Sequence, residues 1–173
     1  MNNVSYWYAL RVTYNREMIV KRHCDANKII NFVPMTYKIY ERGGMEVRQL
    51  EPVVHNLIFI KSSRLFINEL KQKFPIRYLM DQGKGTPITI PEKEMQHFIA
   101  VAGNYDQQIV YLDPDELKMK VGARVRIKSG IFEGVEGTLV RVRNNKRVVV
   151  QIKGVVAVAT HYIHPSLLEN IES

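Results

Sequence analysis

Val121-Gly-Ala-Arg-Val-Arg-Ile-Lys-Ser-Gly-Ile-Phe-Glu-Gly-Val-Glu-Gly137 is the stretch that decides how the chain folds. Val125 and Ile127 alternate with Arg124, Arg126 and Lys128, the period of two expected of a strand with one buried and one basic face. Glycines follow at 130, 134 and 137. Because glycine takes positive φ and close backbone approach at little steric cost, this spacing reads as a tight turn, a loop and the bulged start of a second strand. Alternation resumes in Thr138-Leu-Val-Arg-Val-Arg143, and Asn144-Asn145 reads as a hairpin turn into Lys146-Arg-Val-Val-Val-Gln-Ile152. The product is a short, bent, basic β-meander of the SH3-like barrel type. Taken alone, its charge need do no more than keep such a barrel soluble.

The rest of the chain supplies the context. In 173 residues, lysine and arginine number 25 against 17 aspartates and glutamates, a formal net charge of +8. That excess favours polyanions, chiefly nucleic acid or an anionic membrane surface, although solubility alone also accounts for it. No apolar run approaches the roughly 18 residues that span a bilayer, and no amino-terminal signal stretch is present, so a cytoplasmic location without a membrane partner is expected. The single cysteine, Cys24, excludes an internal disulfide and a Cys-based zinc site. His23, His55, His97, His161 and His164 lack metalloprotease spacing, Gly83-Lys-Gly85 lacks the rest of a phosphate loop, and no serine occupies a nucleophile elbow. No enzyme, catalytic residue, metal site or cofactor is expected.

From the amino terminus, Ser5 to Thr13 is aromatic and β-branched and reads as a strand. Asn15 as N-cap and Glu17 in the first turn predict a helix from Arg16 to about Ile30. Two apolar stripes compete on it, Ile19, Ala26 and Ile30 against Val20 and Cys24, and periodicity does not choose between them. Phe32 to Tyr40 and Met45 to Leu50 form a hairpin about Gly43-Gly44. Pro52 to Ile60 is the most continuously apolar run and reads as a central buried strand. Ser62 or Ser63 then caps a helix carrying Leu65, Phe66, Ile67, Leu70 and Phe74, which Pro75 ends. Short strands flank Gly83 to Gly85, and Pro91 opens a helix with Met95, Phe98, Ile99 and Val101. The stretch 108–116 contains only acidic charge, Asp113, Asp115 and Glu116, and reads as a linker in which Ile109 to Leu112 could add an edge strand. The expected domains are 1–107, the linker 108–116, and 117–173.

The pattern Gly122-x-x-Val125-x-Ile127-x-x-Gly130-x-Phe132-x-Gly134-x-x-Gly137 resembles a KOW motif. Upstream, Trp7-Tyr8, Arg16-Glu17, Val33-Pro34-Met35, Glu51-Pro52 and Pro87-Ile88-x-Ile90-Pro91 stand in an order similar to the NusG amino-terminal domain, especially in specialised paralogues of the RfaH and UpxY kind. The resemblance implies an α+β fold: a four-stranded, mainly antiparallel sheet with flanking helices, then a small SH3-like β-barrel. It also implies a non-enzymatic bacterial transcription elongation factor that binds RNA polymerase and suppresses pausing or termination as a specialised antiterminator. Housekeeping NusG, or a KOW-type ribosome-associated RNA-binding protein, is the alternative. Where NusG proteins usually read Phe-Pro-Gly-Tyr or Phe-Pro-Asn-Tyr, this chain reads Val54-His55-Asn56-Leu57 and keeps the Asn of the RfaH version.

The same resemblance implies the sites. Leu57 and Phe59, supported by Tyr8, are expected to form an apolar polymerase-binding surface, with a place in the core as the alternative for Phe59. Family apolar positions fall on Val20 and Cys24, which selects that stripe as inward and turns Arg16, Ile19 and His23 outward. Arg16, Lys21, Arg22 and His23 are then expected near non-template DNA or nascent RNA, with base reading left to His23 or Asn27. His23 stands where RfaH has a DNA-facing histidine. Phe132, between two glycines at the tip of the KOW loop, is expected to meet a ribosomal protein or termination factor, since an accessible rigid aromatic suits a contact hot spot; the alternative is a ring folded back onto the barrel. RfaH stores its second domain as a helical hairpin. Here Val148 to Val150, Val155, Val156 and Val158 are β-branched, and Gly134, Gly137 and Gly154 each cost about 1 kcal/mol in a helix, so a resident β domain on a mobile acidic linker is expected.

Overall fold

The computed structural model describes residues 3–118 and 120–172; Met1, Asn2, Met119 and Ser173, which fall inside the expected domains, lie outside the described residues. Contacts group the chain into two compact units, residues 1–35 with 50–92, and residues 36–49 with 93–173. Among the described residues no helix is long and apolar enough to cross a membrane.

The first unit is built on β1 (Tyr6–Val12), whose burial is nearly continuous. It is followed by α1 (Glu17–Ala26) and β2 (Ile30–Phe32). The hairpin of β3 (Met35–Arg42) and β4 (Met45–Pro52), whose residues 36–49 belong to the second unit, turns at Gly43 and Gly44, both with positive φ. Next come β5 (Leu57–Ser62), α2 (Arg64–Lys73), β6 (Ile76–Tyr78), the small pair β7 (Met80–Asp81) and β8 (Thr86–Pro87), and β9 (Thr89–Ile90). The main sheet runs β2-β5-β1-β6, with β9 also on β1, and every pairing is antiparallel. It has five strands where four were expected. One of them, β2, begins at Ile30, where the first helix was expected to end, because α1 stops short. Lys28 takes φ 56°, its N–H bonds Asp25 O and the Ile29 N–H bonds Cys24 O, a Schellman closure that frees Ile30 for the sheet. Ser63 caps α2, its Oγ accepting from Phe66 N at 3.3 Å, a contribution of about 1 kcal/mol.

The second unit contains α3 (Glu92–Ala102) from Lys93 onward, β10 (Val110–Leu112), the helical turn α4 (Pro114–Leu117), β11 (Arg124–Ile127), β12 (Glu136–Val142), β13 (Asn145–Ile152), β14 (Val156–Ala159) and β15 (Leu168–Asn170). The strands pair in the order β10-β14-β13-β12-β11-β15, all antiparallel. The KOW stretch is therefore sheet, as its β-branched residues predict. Among the described residues the order runs from β10 to β15 without these end strands pairing, an open six-stranded sheet rather than a ring closed by hydrogen bonds. Its tight turn lies at Arg143-Asn144, one residue before the predicted place, with φ of 48° and 67°.

Register explains the uninterrupted Val148-Val-Val150. Val148 and Val150 share one face with Ile152, Val156 and Val158, while Val149 faces the other way with Val140, Val142, Ala157 and Ala159. Both faces are buried, and Val110, Leu112 and the half-buried Leu117 pack on the second. A strand covered on both sides needs apolar residues at every position. The segment expected as a linker thus carries β10, paired with β14, and an α4 closed by a reciprocal Asp113–Glu116 capping box. Asp113 and Glu116 serve that cap, and the Asp115 carboxylate pairs with Lys118.

Candidate nucleic-acid interface

The first turn of α1 is set by its surroundings more than by its own cap. Tyr14 and Asn15 both lie in the left-handed region, at φ 57° and 52°. Asn15 is not the N-cap; Arg16 takes that place, at φ −95° and ψ 11°, and makes no side-chain cap bond. Asn56, itself at φ 63°, supports the turn from the neighbouring loop. Its Oδ1 accepts from Asn15 N and its carbonyl from Val12 N, each at 2.9 Å. Asparagine tolerates the left-handed region better than most residues, which gives the retained Asn a backbone role.

Val20 and Cys24 are fully buried, and Glu17 joins them inside. Burial pushes the Cys24 thiol up to about 11, so it stays protonated near neutrality. With that stripe inward, helical spacing sends Arg16, Ile19, His23 and Asn27 to one flank. The His23 ring meets Phe74 edge-on at 5.1 Å, and Asn27 Nδ2 donates to the His23 carbonyl at 2.8 Å. The Arg16 guanidinium lies 5.8 Å from the centroid of the Tyr14 ring. Arg22 is exposed. The structure thus brings Arg16 and His23 together, but not Lys21. Lys21 lies on the opposite flank, where its ammonium is 3.2 Å from both Asp25 Oδ2 and Asn31 Oδ1. Asn31 also donates to Asp25 Oδ1 at 2.7 Å, and this bond, ahead of Lys21, holds the Asp25 carboxyl below its ordinary range. Tyr14, exposed beside Arg16, was not among the expected site residues. The signal for Tyr14 was present in an aromatic followed by Asn at a strand-to-helix turn.

The residues expected to form an apolar polymerase surface sit elsewhere. Tyr8 is 2% exposed, Leu57 4% and Phe59 0%. Leu57 and Phe59 pair with Arg11 and Ala9 and share one face of the sheet, while Tyr8 points to the other. All three are core side chains, and the expectation of an exposed surface at Leu57 and Phe59 is corrected accordingly. Tyr8 lies 5.2 Å from the Tyr78 ring, and burial, ahead of that neighbour, raises its hydroxyl pKa.

Phe132 is corrected too. Gly130 and Gly134, at φ 95° and 85°, fold the loop so that the ring turns inward, 1% exposed and 5.1 Å from His161. Ile131, 67% exposed, occupies the loop surface instead.

In the second unit, Glu136 gathers cations. Arg126 donates to its Oε1 from Nε at 3.1 Å and from Nη2 at 2.8 Å, and also reaches Glu169 at 3.2 Å. Lys93 Nζ is 3.2 Å from Glu136 Oε2, and His97 Nδ1 accepts from the Glu136 backbone N–H at 3.4 Å. The cluster borders an open groove of about 330 Å³ lined by Glu94, His97, Arg124, Thr138, Gln151 and Lys153, among others. Among the described residues no group of three or more His, Cys, Asp or Glu side chains is placed to hold a metal ion.

The family model described as transcription termination factor NusG matches residues 5–99. A solved structure entitled "Domain interaction in Thermotoga maritima NusG" is similar over 97% of this chain and 98% of that chain, at 22% identity and a TM-score of 0.45. No curated protein sequence matches significantly.

Proposed function

The chain belongs to the NusG family, a family of non-enzymatic transcription factors, and from that premise we propose that it is a bacterial elongation factor acting as a specialised antiterminator. The observation that carries the reading is the family match over residues 5–99, more than half of the chain. In this reading the first domain, residues 1–107, binds RNA polymerase and the second, residues 117–173, recruits a further partner in the cytoplasm. The specialised reading draws support from the Val54 to Leu57 loop, where Asn56 fixes the turn that leads into α1. The exposed flank of Arg16, His23 and Asn27, extended by Arg22, faces non-template DNA or nascent RNA.

A retention experiment tests the proposal. Immobilised full-length chain is expected to hold core RNA polymerase, and elongation complexes assembled on a DNA–RNA scaffold to be held more tightly than core enzyme alone. Absent retention of both would remove the polymerase-binding reading, and equal retention of both would remove the nucleic-acid contact. The Arg16→Ala, Arg22→Ala double variant is expected to keep core binding and to lose the preference for nucleic-acid-containing complexes.

A further inference from the structure

The α1 surface contains a residue that phosphate binding does not explain. Tyr14 is 82% exposed, and its backbone, with that of Asn15, is held in the left-handed region by Asn56. The preceding residue is tied as well: Thr13 N and Oγ1 both donate to Pro75 O, at 3.3 and 3.5 Å. A tyrosine at positive φ is strained, and the bonds to Asn56 and Pro75 offset that strain. The result is an aromatic ring displayed to solvent on a turn that is fixed in advance.

Its electrostatic setting is one-sided. Arg16 stands beside the ring, and Arg22 and Lys28 are exposed on or just after the helix. The two carboxylates of the segment do not oppose them, because Glu17 is buried and Asp25 is held by Lys21 and Asn31. An exposed aromatic with cations and no competing acid suits a ligand that is both flat and polyanionic. Unpaired nucleotides have that chemistry, since every base has a π-face and every linkage a phosphate. An acidic peptide would satisfy the arginines but bring no flat group to the ring.

We infer that Tyr14 is a base-stacking residue, taking an unpaired base of a single-stranded nucleic acid whose phosphates meet Arg16 and Arg22, with Asn56 as its positioning residue. This rests on the nucleic-acid reading of the α1 flank and adds what that reading lacks, contact with a base.

The test uses the full-length chain with short single-stranded DNA and RNA oligonucleotides carrying 2-aminopurine. Stacking quenches this base, so binding and stacking are read separately. Tyr14→Ala is expected to weaken binding roughly tenfold and to abolish quenching, while Tyr14→Trp restores both. Stacking releases no counterions, so Tyr14→Ala leaves the salt dependence unchanged, whereas Arg16→Ala lowers its slope by about one. Asn56→Ala should weaken binding in the wild-type background and add nothing to Tyr14→Ala, a non-additivity that loss of an unrelated bond would not produce. The strand type that shows Tyr14-dependent quenching is the one recognised. Wild-type affinity and quenching in Tyr14→Ala would overturn the inference and leave the phosphate contacts standing. Failure of the wild-type chain to bind either strand would overturn both.

Discussion

Tyr14 and Phe132 both occupy tight turns with residues of positive φ, yet one ring is 82% exposed and the other 1%. The sequence pointed the other way, toward an accessible Phe132 framed by glycines. Glycines flanking an aromatic permit a sharp reversal, but they do not decide on which side the ring falls. That is settled by what lies beneath: His161 offers Phe132 a packing partner, whereas around Tyr14 the backbone is held from outside by Asn56 and Pro75 and the ring is left in solvent. Recognition and stability are thereby separated, one turn presenting its aromatic and the other burying it.

The largest expected effect tests that separation directly. Phe132→Ala should cost about 3–5 kcal/mol of folding stability, the usual loss on truncating a buried phenylalanine. Tyr14→Ala should stay within about 0.5 kcal/mol. Guanidinium unfolding monitored at the single tryptophan, Trp7, and by far-ultraviolet circular dichroism would compare them; equal losses would break the contrast. Next in size is Gly137→Ala. A Cβ there would lie 2.5 Å from Val149 O and 2.8 Å from a Val148 methyl, both across the strand pair, so the backbone must shift and about 1–3 kcal/mol is expected. The same unfolding curves would check it, and a neutral result would show that the KOW sheet yields where Phe132 does not.

Asn56 sharpens the other side. Asn56→Gly keeps access to positive φ but removes the Oδ1 acceptor, and should cost about 1 kcal/mol. Amide exchange at Asn15 would report the loss locally. Smallest is the pH dependence of the second unit, a titrating contrast to the arginines beside Tyr14. Burial lowers the His97 pKa below 6.5 more than the nearby Glu136 raises it, so its contribution is present above pH 6.5 and is lost as pH falls through the folded value. Hydrogen bonds from Arg126, then Lys93, hold Glu136 below 4.5, so its contribution is lost only as pH falls further. Thermal midpoints should therefore drop in two steps on acidification, and His97→Gln should remove the first.

Much of the fold was legible because it is written in local chemistry. Alternating Val125 and Ile127, the run into β5 and Ser63 before α2 each specify an element without tertiary information. The inward stripe of α1 was not of that kind; two stripes matched equally, and the family resemblance chose the one that Val20 and Cys24 bear out. The site residues were less legible, since strand alternation does not tell a covered face from a solvent face. Leu57 and Phe59 are apolar whether they meet a partner or the core. Lys21 looked like its neighbours until Asp25 and Asn31 were placed beside it. The edge strand left open at Ile109 to Leu112 is β10, and the acidic residues after it begin a capped helical turn.

The central claim, that this NusG-family chain acts on transcribing polymerase, is tested most directly by single-round transcription on a template with defined pause sites. Addition of the purified full-length chain is predicted to shorten pause dwell times, and Arg16→Ala with Arg22→Ala to blunt the effect while polymerase binding persists. Unchanged dwell times at a concentration where the chain demonstrably occupies the elongation complex would contradict the account.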